Sequence, residues 1–136
     1  MKRAKKVILL CLAALLTLYL IPSIYVSAKV YTIARSTDQS FGENNPYSEV
    51  VSDEIYKEMS YRCPPESERG SVEREKDTMW FPITYFWAGE AKTTYWYSYE
   101  VFFADGQWAG SWNIPMHVTL RLVDGKRTVT DFYEAA

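Results

Sequence analysis

The sequence predicts an α+β protein: one amphipathic helix packed on a curved four-stranded antiparallel meander, preceded by an N-terminal signal or transmembrane helix. Three observations carry this. A basic head runs straight into an uncharged apolar stretch at the N-terminus. A single later segment shows apolar residues at helical spacing. From residue 78 onward, aromatic and β-branched runs alternate with polar residues between turn signals, the pattern of half-buried strands.

Lys2, Arg3, Lys5 and Lys6 place four positive charges ahead of an apolar run over residues 7–20. Cationic flanks stay on the cytoplasmic side, so the rest of the chain is directed outward. Two fates fit the residues. A 14-residue apolar core followed by Pro22, Ser23 and the small-residue site Val26-Ser27-Ala28 suits a cleaved signal peptide. The apolar character also continues to Val26, and residues 7–26 make ~30 Å of helix, enough to span a bilayer uncleaved. Residues 1–28 are therefore a signal peptide or anchor, and residues 29–136 a single extracytoplasmic domain. The protein is exported, either secreted or held in the cytoplasmic membrane with its C-terminal domain outside. Cys11 lies early in the apolar core rather than after it, so it reads as one more apolar residue and not as a lipidation site.

Four of the 15 Lys and Arg lie in the head and no acid precedes Asp38, so the body carries 11 bases against 17 acids. That balance excludes a nucleic-acid partner, because phosphate contacts need clustered Lys and Arg. The body has one cysteine, Cys63, and so no internal disulfide. Stability must come from a hydrophobic core, to which each buried aromatic contributes ~150–250 Å².

Residues 29–35 read either as a short strand or as the exit of a membrane helix, and residues 36–45 as a loop rich in Ser, Asp, Gly and Asn. Asn45-Pro46 predicts a helix start, with Val51, Ile55 and Met59 forming its apolar stripe. Residues 63–77 hold two prolines, Gly70 and alternating Glu and Arg, and predict a solvated loop. Strands are predicted over residues 78–88, 92–104, 111–123 and 126–133, separated by Gly89-Glu90, Asp105-Gly106 and Asp124-Gly125. The last pair is the strongest turn signal, since both residues tolerate the positive φ of a two-residue hairpin. Alternation puts Tyr95, Tyr97, Tyr99, Val101 and Phe103 on one face of the second strand and Trp96, Ser98, Glu100 and Phe102 on the other. On the third strand, Trp112, Ile114, Met116, Val118, Leu120 and Leu122 form one apolar face, and Pro115 predicts a bulge or an edge.

The final hairpin, Val123-Asp124-Gly125-Lys126-Arg127-Thr128-Val129-Thr130-Asp131-Phe132, together with the helix-then-meander order, resembles the cystatin-like and nuclear transport factor 2-like exported bacterial domains. The single helix of the body resembles the cystatin-like arrangement more closely than the three-helix cone of the transport-factor group. The resemblance implies a fold, and a fold implies no activity by itself.

No residue pattern predicts catalysis, a metal site or a cofactor. His117 is the one histidine, which excludes a multi-histidine metal centre. A small hydrolase using His117 with Glu100 or Asp131, or with Cys63, is the enzymatic alternative. The better candidate is aromatic. All five tryptophans lie between Trp80 and Trp112, in a window holding 13 of the chain's 22 aromatics. One sheet face over one short helix cannot bury them all. Trp87, Tyr95, Trp96, Tyr97, Tyr99 and Trp108 are the candidate binding residues of a non-enzymatic interaction module for a partner protein or an envelope polymer. A small-molecule carrier with a conical cavity is the further alternative.

Overall fold

The computed structural model describes residues 1–60 and 71–135. The chain is α+β, a long N-terminal helix and a five-stranded antiparallel sheet rather than the expected four-stranded one. Its elements are α1 (Lys2–Ser40), α2 (Asp53–Met59), β1 (Val72–Met79), β2 (Ile83–Trp87), β3 (Glu90–Phe103), β4 (Trp108–Val123) and β5 (Lys126–Glu134).

The largest correction concerns α1. The apolar N-terminal segment and the main core helix are one continuous 39-residue helix. Residues 29–35 are helical, and so are residues 36–40, which were expected to be loop. Pro22 does not end the helix, and Ser23 on its first following position bonds Tyr19 O at 2.9 Å. The N-terminal part is exposed on all sides, whereas Ser23, Val26, Ser27, Val30, Ile33, Ala34, Thr37 and Asp38 are buried against the rest of the chain. Those positions recur at three- and four-residue intervals, the single stripe a helix needs to lie on a sheet. Phe41 ends α1 in the left-handed region (φ 57°), followed by Gly42 at φ 73°, whose N–H donates to Thr37 O. Gly42 is required twice over, because a Cβ there would lie 2.8 Å from Lys57 Cα.

The predicted body helix is shorter than its sequence signals. Asn45 does not cap it but closes a turn, its Oδ1 accepting from Tyr47 N. The helix begins at Ser52, whose side chain accepts from Ile55 N. Val51, Tyr56 and Met59 are buried and Ile55 partly so.

Pro82 splits the predicted first strand. With no N–H it cannot continue a ladder, so β1 and β2 pair with the two ends of the same β3 edge on either side of Trp80-Phe81-Pro82. β1 also captures Val72–Asp77, expected to be loop. Its inward-facing acids explain this. Asp77 pairs with Arg35 of α1 at 2.6 Å, and Glu75 accepts from the Tyr99 hydroxyl at 2.7 Å. Charge that looked like solvation in the sequence therefore satisfies the rim of the core. Burial lowers the Arg35 pKa, but the charge and hydrogen bond of Asp77, joined by the nearby Tyr31 and Asp38, raise it overall.

The sheet order is β1-β3-β4-β5, with β2 beside β1 on β3. The Asp124-Gly125 hairpin forms as expected, with φ 49° and 77°. The β2–β3 turn is Ala88-Gly89 (φ 50° and 79°), one residue earlier than predicted. The core lies between the sheet and the two helices, built from α1, Tyr56 and Met59 of α2, and Ala91, Tyr95, Tyr97, Tyr99, Val101, Met116, Val118, Leu120 and Val129.

Candidate functional site

β3 separates the candidate binding residues by parity. Tyr95, Tyr97 and Tyr99 point to the helices and are 1%, 0% and 2% exposed. They are core residues, which corrects their expected place among exposed binding residues. Burial pushes the Tyr95 phenol far above its ordinary range, with the charge of Asp38 adding to the effect. Trp96, one position away, faces out, as do Trp87, 72% exposed, and Trp108. The outer face is covered by no element of the described chain, and all five tryptophans lie on it or at its border.

Trp112 reaches this face through a feature the alternation pattern concealed. Between Tyr97↔Ile114 and Tyr99↔Ser111, β3 advances two residues while β4 advances three. The extra residue is a β-bulge at Trp112-Asn113, with Asn113 at φ 50°. Ser98 Oγ accepts the Asn113 N–H at 2.9 Å and so satisfies the bulged backbone. The bulge reverses the parity of everything before it. Trp112, expected beside Ile114 on the apolar inner face, turns outward and donates Nε1–H to Glu100 at 3.0 Å. Pro115 itself pairs with Trp96, and its carbonyl accepts from Ala135 N, so its missing N–H faces the side where β5 has just ended. Leu122, also expected on the inner face, is 60% exposed near the strand's end.

Trp108 and Trp112 stack with centroids 4.9 Å apart. Gly110 lies between them on the same face, and a Cβ there would meet Tyr99 O at 2.8 Å and Trp108 Cζ2 at 3.2 Å. Beside this pair is a groove of about 190 Å³ lined by Lys76, Thr78, Ser98, Glu100 and Trp112. A broader apolar hollow of about 520 Å³ follows, lined by Trp80, Phe81, Ile83, Trp96 and Asn113. The outer face thus combines flat aromatic platforms with hydroxyl, amine and carboxylate groups. The sequence signal for Trp80 and Trp112 was the clustering of tryptophans. Pro115 signalled a bulge or an edge in this stretch, and the bulge lies just before it, at Trp112-Asn113.

Among the described residues, His117 is hydrogen-bonded to neither Glu100 nor Asp131. His117 Nδ1 bonds Thr94 Oγ1 at 2.9 Å and its ring stacks on Tyr133. Glu100 pairs with Gly110, seven positions along β4 from His117, and bonds Trp112 instead. Asp131 pairs with Thr119, two positions along β4 from His117, and is exposed. Cys63 lies outside the described residues. Among the described residues no group of three or more His, Cys, Asp or Glu is placed to hold a metal. Cys11 is exposed on the apolar part of α1. One helix among the described residues, α1, is long and apolar enough to cross a membrane, which suits either a signal segment or an anchor.

Comparison with protein-family models, curated proteins and solved structures finds no match to this chain. The functional reading therefore rests on its own residues.

Proposed function

We propose that this protein is a membrane-anchored, non-enzymatic extracytoplasmic module that binds a partner protein or envelope polymer through the aromatic outer face of its sheet. The observation that carries the proposal is the uncovered face bearing Trp80, Trp87, Trp96, Trp108 and Trp112. Apolar surface of this extent on a small domain marks a contact surface rather than a solvated one. The groove beside Trp112 adds polar groups of both charge signs, which suits a ligand carrying many hydroxyl or amide groups.

Retention of the anchor is supported by the continuity of α1. Ala28, the residue after which a signal peptidase would cut, lies in mid-helix. Ser23, Val26 and Ser27 precede it and are buried against the sheet, with Ser27 Oγ 2.7 Å from Thr84 Oγ1. Cutting after Ala28 would remove part of the core. The four basic residues of the head set the orientation, domain outward. The element order, a helix laid across an antiparallel sheet, keeps the cystatin-like arrangement as the proposed relationship.

The test is site-specific photocrosslinking in the native host. Probes at positions 96 and 112 should capture a partner, and a probe at exposed position 54 of α2 should not. Equal labelling at all three, or none, would overturn the binding face. The intact mass reports on the anchor: Met1 retained in the membrane fraction supports it, and a mature start at Lys29 refutes it.

A further inference from the structure

The anchor is too short to cross a bilayer before the folded domain begins. Tyr19 of α1 already touches the sheet: its hydroxyl accepts from Phe86 N at 3.3 Å, and its ring meets Phe86 edge-on at 5.9 Å. From Val7, just past the basic head, to Tyr19 is ~18 Å of helix. The hydrocarbon core of a bilayer is ~30 Å. The sheet-remote face of α1 marks the same boundary independently. It stays apolar through Ile21, Ile24 and Tyr25, which are exposed, and turns polar at Thr32. Tyr19 to Tyr25 is ~9 Å along the axis, so helix that needs lipid and helix that touches the sheet overlap by about that height.

Resting on the retained-anchor reading, we infer that the end of the sheet nearest the anchor, the β2–β3 turn with the β4–β5 hairpin, is itself seated in the bilayer's outer interface. The residues at that end fit a lipid surface. Trp87, Leu122 and Val123 are 72%, 60% and 46% exposed. Tryptophan is favoured at the headgroup boundary. Lys126 and Arg127 flank these residues on long stems, and the Arg127 guanidinium lies over the Phe86 ring at 5.3 Å. The Arg127 side chain lays its methylenes along this apolar surface with its charge at headgroup level, while Lys126 is held by Glu49. The nearby acids are engaged within the domain: Glu90 accepts from Arg121, and Glu49 from Lys126. Asp124, on the exposed hairpin tip, is the acid facing the headgroup layer. The domain is therefore not a body on a free tether. It stands on the membrane at a fixed height, with the upper aromatic face, Trp108 and Trp112, held clear of the lipid.

The full chain, reconstituted in phosphatidylcholine–phosphatidylglycerol vesicles, tests this with brominated phosphatidylcholines as depth-dependent quenchers of tryptophan. Shallow bromines should quench a substantial part of the wild-type emission, and Trp87→Phe should remove most of that quenchable part. Trp112→Phe should leave the quenchable part intact. A chain that floats with the vesicles but whose quenching is unchanged by Trp87→Phe overturns the seating while leaving the anchor standing. A chain that does not float overturns the anchor and the seating together. Leu122→Trp in the Trp87→Phe background should restore shallow quenching, and its failure to do so also counts against the seating.

Discussion

The two faces of one sheet use aromatic residues in opposite ways. The fully buried rings against the inner face are tyrosines, and the hydroxyls of Tyr97, Tyr99 and Tyr56 of α2 find carboxylates or serines at the rim of the core. On the outer face tryptophans dominate: Trp108 and Trp112 stack on one another, and Trp80, Trp87, Trp108 and Trp112 are exposed. A buried phenol needs a partner or costs free energy. That need draws Glu75 and Asp77 inward and turns a charged segment into β1. The demand is weaker on the outer rings, where water reaches the polar edges and the Trp112 Nε1–H bonds Glu100 at an exposed site. Aromatic content alone does not separate core from surface. The chemistry of the ring and the partner available to it do.

Neighbouring positions on β3 offer the sharpest way to break this contrast. Tyr97→Ala should destabilise the domain by about 3–5 kcal/mol, the range for emptying a large aromatic site in a core. Trp96→Ala should cost less, under about 2 kcal/mol, because its ring lies on the uncovered outer face and is only partly buried. Urea unfolding in detergent reads both, and equal costs would mean that the outer ring is structural. Removing the segment before Lys29 comes next. Losing buried Val26 and the Ser27–Thr84 hydrogen bond should cost about 3 kcal/mol. A chain starting at Lys29 that unfolds at the same urea concentration as the full chain would detach the core from the anchor.

Gly42→Ala should cost about 1–3 kcal/mol, since the new Cβ meets Lys57 backbone and φ stays positive. It strains the inner side alone, so binding by the outer face should survive in the folded fraction. Deleting Asn113 tests the other side. It removes the extra residue, so the ladder closes with Ser98 opposite Trp112 and both rings stay on the outer face. The exciton signal of the stacked pair in near-UV circular dichroism should persist, and its loss would show that the pair depends on the bulge itself.

Much of this was legible beforehand. Strand alternation fixed which face of β3 carries Tyr95, Tyr97 and Tyr99, and Asp124-Gly125 announced its own turn. Two features were hidden for physical reasons. The continuity of α1 was obscured because residues 36–40 are poor helix formers, held in helix by burial of Thr37 and Asp38 and by the close approach of Gly42 to α2. The position of Trp112 was obscured because parity counts through a bulge give the wrong face. A bulge is a tertiary accommodation, here supported by Ser98 from the neighbouring strand.

The smallest expected effect is the most direct comparison of the two faces. Thr93 and Thr94 are adjacent on β3 and each makes a side-chain hydrogen bond across the sheet. Thr93 is buried, and its hydroxyl bonds Thr84, which in turn bonds Ser27 of α1. Thr94 is half-buried on the outer face and bonds His117. Valine matches threonine in shape, so the substitution removes the hydroxyl and little else. Thr93→Val should cost about 1 kcal/mol, because it breaks a relay linking sheet to helix where water cannot replace it. Thr94→Val should cost under about 0.5 kcal/mol, since solvent reaches His117 and takes over the bond. If the two costs are equal, the outer face is less open to water than its exposed tryptophans indicate, and the contrast between the faces narrows to one of shape.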